Sequence, residues 1–339
     1  MLAVRCHDWM PYRQLELEEI PAPVLAAGQV RIGTHYAGVS FASNLVTQGR
    51  YQRKPPRPFT PGSEVAGEIL EVAPDVTALK PGDRVCAAVD WGGHAEEVVI
   101  DAATVYPIPD TLAFDLAPQF PLSYGTAYAA LAWLAAIRPG ETLLVHGAAG
   151  AVGLATVELA KAMGAKVIAT ASSPVKLDVV RAHGADHAVL FPSPTALEQI
   201  RAVAPEGVTL VFDPVGGDAF DLSLRCVADC GRILVIGFAA GRVQQIPANI
   251  LLVKNITVHG FNYGKYIGWG RRDERRQHEM QVRGAFQRMF DWYREGKLRP
   301  STSHRFALRD YRAAMDAVLA REGLGKIVLE MPRAVAARK

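Results

Sequence analysis

The stretch that decides the fold is Thr142-Leu-Leu-Val-His-Gly-Ala-Ala-Gly-Ala-Val-Gly-Leu-Ala-Thr-Val-Glu-Leu-Ala-Lys-Ala-Met-Gly164. Its first residues form an apolar run of the kind found in a central parallel strand that is covered on both faces. Gly147, Gly150 and Gly153 follow at intervals of three and lead into a helix of small and apolar residues, which Gly164 ends. The stretch therefore predicts a buried strand, a glycine turn and a helix.

A second strand, predicted at Ala165–Thr170, completes the sequence context of a dinucleotide site. Small residues in the turn let the backbone approach a pyrophosphate, and the free N–H groups at the helix start can bind its charge. Ala148 stands where the strict G-x-G-x-x-G pattern has its first glycine, so a turn that only packs helix on strand is the alternative. The β/α alternation that follows favours the dinucleotide.

Composition sets the broad class of the protein. A chain of 339 residues is long enough for two domains, and half of its residues are hydrophobic. The net charge of +3 gives no reason to expect nucleic acid or a membrane surface as partner. Its four cysteines show no metal or disulfide framework, and Arg5, His7 and Asp8 lie where a signal peptide needs an apolar core. We therefore expect a cytoplasmic enzyme without a membrane span.

The texture of the sequence changes twice and predicts three segments. Residues 1–120 read as half-buried strands and turns, an antiparallel and barrel-like β region. An alanine-rich helix is predicted over 114–137, across the first boundary. The rest of residues 121–262 reads as alternating strands and helices, which predicts a doubly wound parallel sheet. Residues 263–339 are predicted to return to the first region through a last strand at 327–330.

The residues after the second β/α strand indicate which dinucleotide is bound. An NAD site usually has a carboxylate there for the ribose hydroxyl, but Ala171–Lys176 contains no acid. Ser172 and Ser173 can bind a 2′-phosphate through hydrogen bonds, and Lys176 supplies charge. NADPH is therefore favoured over NADH, although Ser173 also fits a simple helix cap before Pro174.

Segments along nearly the whole chain carry a family resemblance: Gly38–Ala42, Gln48–Tyr51, Pro58–Gly67, Lys80–Val85, Thr126–Tyr128, His146–Gly153, Asp213–Gly217 and Gly325–Leu329. In them the chain resembles zinc-independent medium-chain dehydrogenases/reductases, and is most similar to NADPH:quinone oxidoreductases of the zeta-crystallin type. The resemblance implies an α/β fold class, with a GroES-like β-rich catalytic domain built from both chain ends and a Rossmann NADP-binding domain between them. It also implies a homodimer that pairs edge strands at Asn255–Gly260.

By position, the resemblance also implies which residues contact NADPH and the substrate. Five would cradle the pyrophosphate: Ala149, Gly150, Ala151, Val152 and Gly153. Ser172, Ser173 and Lys176 would hold the 2′-phosphate, and Phe191 would contact the adenosine. The nicotinamide side would be lined by Thr126, Gly237, Phe238, Ala239, Phe261 and Asn262, with Lys326 near the cofactor. Tyr51 would face the cleft beside nicotinamide and substrate. A strand-end turn is the alternative for Gly237–Gly241.

Zinc ligands are missing from the positions where related alcohol dehydrogenases carry them. Those positions read Ser40 and Ser63, and no cluster of four cysteines exists for a structural zinc. We therefore expect a metal-free enzyme. The segment Ser40-Phe-Ala-Ser43 also lacks the Asn and Asp that quinone reductases usually show there, which leaves the physiological acceptor open.

The expected reaction is hydride transfer from NADPH to a quinone or related conjugated carbonyl compound. Tyr51 is the candidate to orient or protonate the substrate oxygen, with a packing role as the alternative; Ser40 and Ser43 are weaker candidates. Reduction of an enone or enoyl double bond is the second hypothesis. The third is an NADPH-binding regulatory or RNA-binding relative. The run Arg271–Arg276 has mixed signs, which we interpret as a solvated helix start rather than an RNA site.

Overall fold

The computed structural model describes residues 1–336. Its strands are β1 (Leu2–Arg5), β2 (Glu16–Glu19), β3 (Gln29–Val39), β4 (Glu64–Val72), β5 (Arg84–Ala88), β6 (Glu97–Asp101), β7 (Val105–Pro107), β8 (Thr142–Val145), β9 (Lys166–Ala171), β10 (His187–Leu190), β11 (Val208–Asp213), β12 (Val227–Val235), β13 (Thr257–Gly260), β14 (Thr302–Ala307) and β15 (Lys326–Glu330). Its helices are α1 (Phe41–Thr47), α2 (Gly125–Tyr128), α3 (Ala151–Ala162), α4 (Pro174–Ala182), α5 (Ala196–Val203), α6 (Asp218–Cys226), α7 (Ala248–Lys254), α8 (Arg275–Arg294), α9 (Tyr311–Leu319) and α10 (Pro332–Ala336). Among the described residues, no helix is long and apolar enough to span a bilayer.

The chain forms two compact units. Unit 1 contains Met1–Leu122, Gly264–Phe290 and the residues from Pro300 onward, and unit 2 contains Ser123–Tyr263 and Asp291–Arg299. The short segment Asp291–Arg299 lies within the predicted return over 263–339, yet it groups with unit 2. One reason is that the backbone N–H of Arg299 donates a hydrogen bond of 2.8 Å to the buried Glu158.

Unit 1 is built on a seven-stranded sheet in the order β14-β15-β3-β4-β5-β7, with β6 also paired to β3, and a separate β1–β2 pair. Strand β15 pairs antiparallel with β3, from Ile327 opposite Val39 to Glu330 opposite Tyr36. The predicted return of the last strand to the β-rich region is therefore confirmed. β3 carries three partner strands and is almost wholly buried, which explains its long run of apolar and small residues.

Unit 2 is built on a six-stranded parallel sheet in the order β10-β9-β8-β11-β12-β13. The order runs outward in both directions from the β8–β11 pair, which is the doubly wound arrangement predicted from the β/α alternation. The strands are apolar because helices cover the sheet: Leu144, Ile168, Val211 and Ile233 are fully buried. The predicted fold class, an α/β chain with a β-rich domain and a Rossmann domain, is confirmed.

Two local predictions differ from the structure. Helical structure in the alanine-rich stretch begins at Phe120 rather than near 114, and turns of π-helix flank α2. In the charged run Arg271–Arg276 the helix α8 begins at Arg275, whose side chain is only 6% exposed. The prediction of a solvated helix start is wrong for Arg275, because its guanidinium is held by Asp273 and Asp90.

A pair of glycine substitutions tests the packing of the unit 1 sheet. A Cβ on Gly67 in β4 would lie 2.0 Å from the carbonyl oxygen of Gly33, whereas a Cβ on Gly284 in α8 has no atom within 4 Å. Gly67→Ala should lower stability by about 1–3 kcal/mol, because backbone must move to admit the methyl group. Gly284→Ala should raise stability by up to about 1 kcal/mol, because alanine favours the helix. Thermal unfolding midpoints that shift in the same direction for both variants would contradict this account.

Candidate functional site

The glycine turn of unit 2 joins β8 to α3 with almost no space between the two. Gly147 has φ +56°, and a Cβ there would lie 2.9 Å from Cγ2 of Val215. A Cβ on Gly153 would lie 2.6 Å from both the Gly147 carbonyl oxygen and Cα of Ala148. Packing by itself therefore requires both glycines, as the packing alternative predicts.

The remaining glycine leaves the start of α3 open. A Cβ on Gly150, the N-cap residue, would meet only the Gly147 carbonyl oxygen, at 3.5 Å. No side chain caps the helix, and the hydrogen bond from Leu154 N to Gly150 O (2.9 Å) is the first of its ladder. The N–H groups of Ala151, Val152 and Gly153 precede that bond, so a diphosphate fits this cradle. Ala149 is buried beneath it.

Most of the other residues predicted to bind the cofactor follow strands at the same edge of the sheet. Because all six strands are parallel, their carboxyl ends share one edge. Ser172 and Ser173 follow β9, Phe191 follows β10, Gly237, Phe238 and Ala239 follow β12, and Phe261 and Asn262 follow β13. The turn after β8 lies where the strand order reverses, which is the binding position of open α/β sheets. Thr126 lies half-buried on α2.

For the residues after β9 the sequence left two interpretations open, helix capping and phosphate binding. The Ser173 side chain accepts a hydrogen bond from Lys176 N at 3.4 Å and caps α4, as the capping alternative states. Ser172 is exposed, and Lys176 is half-exposed one turn along the helix. Both residues follow the carboxyl end of β9, and the sequence from Ala171 to Lys176 contains no acid, which suits a phosphate.

His146, which sequence reasoning passed over, fixes the entry to the glycine turn. It is fully buried, and its ring nitrogens lie 2.9 Å from Oγ1 of Thr170 and 2.9 Å from Oγ of Ser223. Burial lowers the pKa of the imidazole, so it is neutral at neutral pH. The sequence signal that could have identified His146 is a polar residue directly after an apolar strand. Phe191 packs against this ring with centroids 6.0 Å apart.

Unit 1 contains a pocket of about 570 Å³, counted with its open mouth. Apolar side chains form most of its wall, and its polar lining consists of Ser40, Ser43, Tyr51, Arg53, Ser63 and Asp90. The pocket therefore brings together Tyr51 and the three serines that the sequence singled out. It adds Arg53 and Asp90, which the sequence did not indicate.

The hydroxyl groups in the pocket are held by local structure. Ser40 is the N-cap of α1, and its Oγ accepts from Ser43 N at 3.4 Å and lies 3.3 Å from Oγ of Ser43. Burial raises the pKa of the Tyr51 phenol, which is therefore protonated at neutral pH and able to donate a hydrogen bond.

Gly62, on the floor of the pocket, packs closely against the buried His94. A Cβ there would lie 2.5 Å from Cδ2 of His94. The His94 ring is fully buried, with Nδ1 2.8 Å from the hydroxyl of Tyr12 and Nε2 3.1 Å from the carbonyl oxygen of Gly38. Burial lowers the pKa of His94 to about 4, so it stays neutral and supports the floor without adding charge.

Lys326 forms a buried ion pair with Glu64, and both side chains are almost fully enclosed. Burial raises the pKa of Glu64, while the charge of Lys326 and its hydrogen bond act in the opposite direction. The second carboxylate oxygen of Glu64 is buried and has no hydrogen-bond partner among residues 1–336. The ammonium group of Lys326 is thus paired within unit 1. Its place beside a cofactor stays a prediction.

Metal-ligating side chains gather elsewhere on unit 1. In the described part of the chain, the group with three ligand atoms close enough to share an ion is His7, Glu16 and Glu18, at the surface β1–β2 pair. The pocket instead presents hydroxyl groups at Ser40 and Ser63, which are poor ligands for zinc.

Comparison with known proteins agrees with these features. Residues 26–110 match the alcohol dehydrogenase GroES-like domain, and residues 151–280 match the zinc-binding dehydrogenase family. The chain is 37% identical to quinone oxidoreductase-like protein 2 of Rattus norvegicus over 94% of this chain and 89% of that protein. A probable oxidoreductase from Mycobacterium abscessus is 32% identical with a TM-score of 0.85 over 97% and 98% of the two chains. Escherichia coli quinone oxidoreductase, solved in complex with NADPH, is 25% identical with a TM-score of 0.88 over 97% and 100%.

The identity to the rat protein over most of both chains establishes the family. The chain belongs to the quinone oxidoreductase-like proteins of the medium-chain dehydrogenase/reductase superfamily, a group of oxidoreductases. The resemblance read from the sequence motifs is therefore confirmed.

Proposed function

We propose that this member of the quinone oxidoreductase-like family uses NADPH to reduce a quinone or related conjugated carbonyl compound, and does so without zinc. The observation that carries the proposal is the open start of α3, where Ala151, Val152 and Gly153 offer backbone N–H groups to a diphosphate. The NADPH complex of the Escherichia coli relative supports the choice of cofactor.

The residues of this chain would divide the binding of NADPH along the edge of the unit 2 sheet. The turn at Gly150–Gly153 would hold the pyrophosphate, and Ser172 and Lys176 would hold the 2′-phosphate. The bound cofactor supplies a hydride. Lys326 would act indirectly, because its ammonium group is already paired with Glu64.

The pocket of unit 1 would bind the acceptor and supply a hydrogen bond or a proton to its oxygen. Negative charge develops on the substrate oxygen as hydride arrives, and the Tyr51 hydroxyl can donate a hydrogen bond or a proton to it. The apolar wall of the pocket would keep water away from the reacting atoms. A conjugated acceptor spreads this charge over its own π-system, so a hydroxyl donor suffices in place of a metal ion.

Reduction of an enone or enoyl double bond is the second candidate. The segment Ser40–Ser43 favours it, because quinone reductases of the resembling type usually carry Asn and Asp there. The same Tyr51 hydroxyl would serve either acceptor, so the products of the two reactions decide between them.

A cofactor assay tests the proposed function. With a panel of quinones, enones and enoyl thioesters, NADPH should be oxidised far faster than NADH. Lys176→Gln should raise the KM for NADPH by about tenfold or more, because a charge-assisted bond to phosphate is lost, and should change the KM for NADH little. Arg181→Gln, an exposed change on the same helix, is the matched control. Equal use of both nucleotides would contradict the cofactor choice, and oxidation of neither would contradict the function.

A second measurement tests the role of Tyr51. Tyr51→Phe keeps the ring and removes the donor, so kcat/KM with an enone should fall about tenfold or more. Ser40→Ala and Ser43→Ala are the comparison variants, since their hydroxyls line the same pocket. If Tyr51→Phe behaves as the unmodified protein does while a serine variant loses activity, the serine is the donor instead.

We also propose that the protein is a homodimer joined at strand β13, the edge of the unit 2 sheet. An edge strand offers unpaired backbone groups to a second copy. The segment that precedes it in the chain carries large apolar side chains with unusual exposure: Leu252 is 78% exposed, Val253 76% and Val243 69%. Two copies related by a twofold axis would cover these surfaces at once. The cytoplasmic location stays a prediction from the sequence.

Sedimentation equilibrium tests the dimer. The full chain should sediment with twice the mass of one copy, and a Leu252→Glu, Val253→Glu double variant should sediment as a monomer, because charge replaces the apolar contact. Met280→Glu, at a side chain 88% exposed on α8, is the control and should leave the mass unchanged. A monomeric unmodified chain would exclude this interface.

A further inference from the structure

Arg53 is held in the unit 1 pocket by two indole rings. Its guanidinium carbon lies 4.7 Å from the ring centroid of Trp269 and 5.6 Å from that of Trp91, which are cation–π distances. The side chain is 22% exposed, and Trp91 and Trp269 line the same pocket. A cation is therefore fixed in place at a site that small molecules can enter.

The carboxylate that balances this cation is shared. Asp90 accepts hydrogen bonds on both oxygens from Nη2 of Arg275, each at 3.0 Å, and one from Nε1 of Trp269 at 2.8 Å. Arg53 reaches only one carboxylate oxygen of Asp90, at 3.2 Å. Two arginines thus divide one carboxylate, and the nearer bonds belong to Arg275.

Arg53 and Arg275 are formally balanced by Asp90 and Asp273, but the two acids are not equally exposed to solvent. Asp273, the other acid on Arg275, is 56% exposed, so solvent screens much of its charge. Among the described residues that line the pocket, Arg53 and Asp90 are the charged ones at neutral pH. The pKa of Arg53 is lowered, first by burial and then by the nearby charge of Arg275, although Asp90 opposes both effects.

The guanidinium also keeps hydrogen-bonding capacity. It donates to the carbonyl oxygen of Asp90 at 3.3 Å and to its carboxylate at 3.2 Å. An arginine carries five N–H groups, so three of those on Arg53 have no acceptor among residues 1–336. Such N–H groups suit a carboxylate, sulfonate or phosphate.

We propose that the pocket selects acceptors that carry one anionic group, which pairs with Arg53 while the flat conjugated part of the molecule lies against the neighbouring indoles. The word acceptor rests on the proposed reductase function, whereas selection for the anionic group rests on the pocket alone. The competing explanation is that Arg53 only braces the two tryptophans, in which case the charge of the bound molecule makes no difference.

Binding without turnover separates these explanations. Naphthoate and naphthamide have nearly the same shape and differ in charge, and neither can accept a hydride from NADPH in this reaction. Calorimetric titration of the full chain should show naphthoate binding about tenfold or more tighter than naphthamide at low salt, with the preference shrinking as ionic strength rises. Equal affinities would overturn the proposal.

Variants at Arg53 locate the preference. Arg53→Gln should abolish the preference for naphthoate, and Arg53→Lys, which keeps the charge but loses the planar fork, should retain part of it. Arg13→Gln removes a 72% exposed arginine with a single carboxylate partner, and should leave the preference as it is. If Arg53→Gln retains the full preference, the anion binds elsewhere and the proposal fails; if that variant does not fold, Arg53→Lys carries the same test.

Turnover then distinguishes the two proposals from each other. For a naphthoquinone and the same quinone with a ring sulfonate, Arg53→Gln should raise the KM of the sulfonate at least about ten times more than that of the neutral quinone. Turnover without this difference overturns the anion selectivity and leaves the reductase function standing. No turnover of any acceptor, together with the naphthoate preference, refutes the function and leaves the selectivity standing.

Discussion

The buried ion pair between Lys326 and Glu64 is the interaction on which unit 1 depends. Lys326 begins β15 and Glu64 begins β4, two strands that both pair with β3. Gly38 lies between them, since a Cβ there would fall 2.4 Å from Glu64 Oε1. Removing either charge would leave the other buried and unpaired, which costs several kcal/mol, about 3–5. Strand β15 therefore stabilises the sheet that β3 and β4 form much earlier in the chain.

The proposed cofactor-binding edge of unit 2 was predictable because backbone geometry creates it. Gly147 and Gly153 are demanded by strand-to-helix packing, and the absence of a carboxylate at Ala171–Lys176 is visible in the sequence itself. Once the strands are known to be parallel, all their carboxyl ends must share an edge. Local patterns of period two and 3.6 therefore led to the sheet, the turn and the residues after each strand.

The proposed acceptor pocket was only partly predictable, because long-range contacts create much of it. Tyr51 and Ser40 were found through motifs near one another in the chain, and Arg53 lies only two residues beyond Tyr51, but Asp90 and Trp269 come from distant segments. Arg275 stands in a run of mixed charge that is typical of a solvated surface, and only the fold shows that Asp90 draws it into the interior. No spacing in the sequence carries that information.

This difference has a physical consequence for function. A pyrophosphate at the start of α3 would be bound by N–H groups that every residue except proline possesses, so alanines at positions 149 and 151 cost no donors. An acceptor is bound by side chains, and one change in the group around Asp90 alters both charge and shape. If the proposed function holds, substitution in the pocket would change the acceptor while the hydride donor stays the same, and the pocket of unit 1 would set the specificity of this chain.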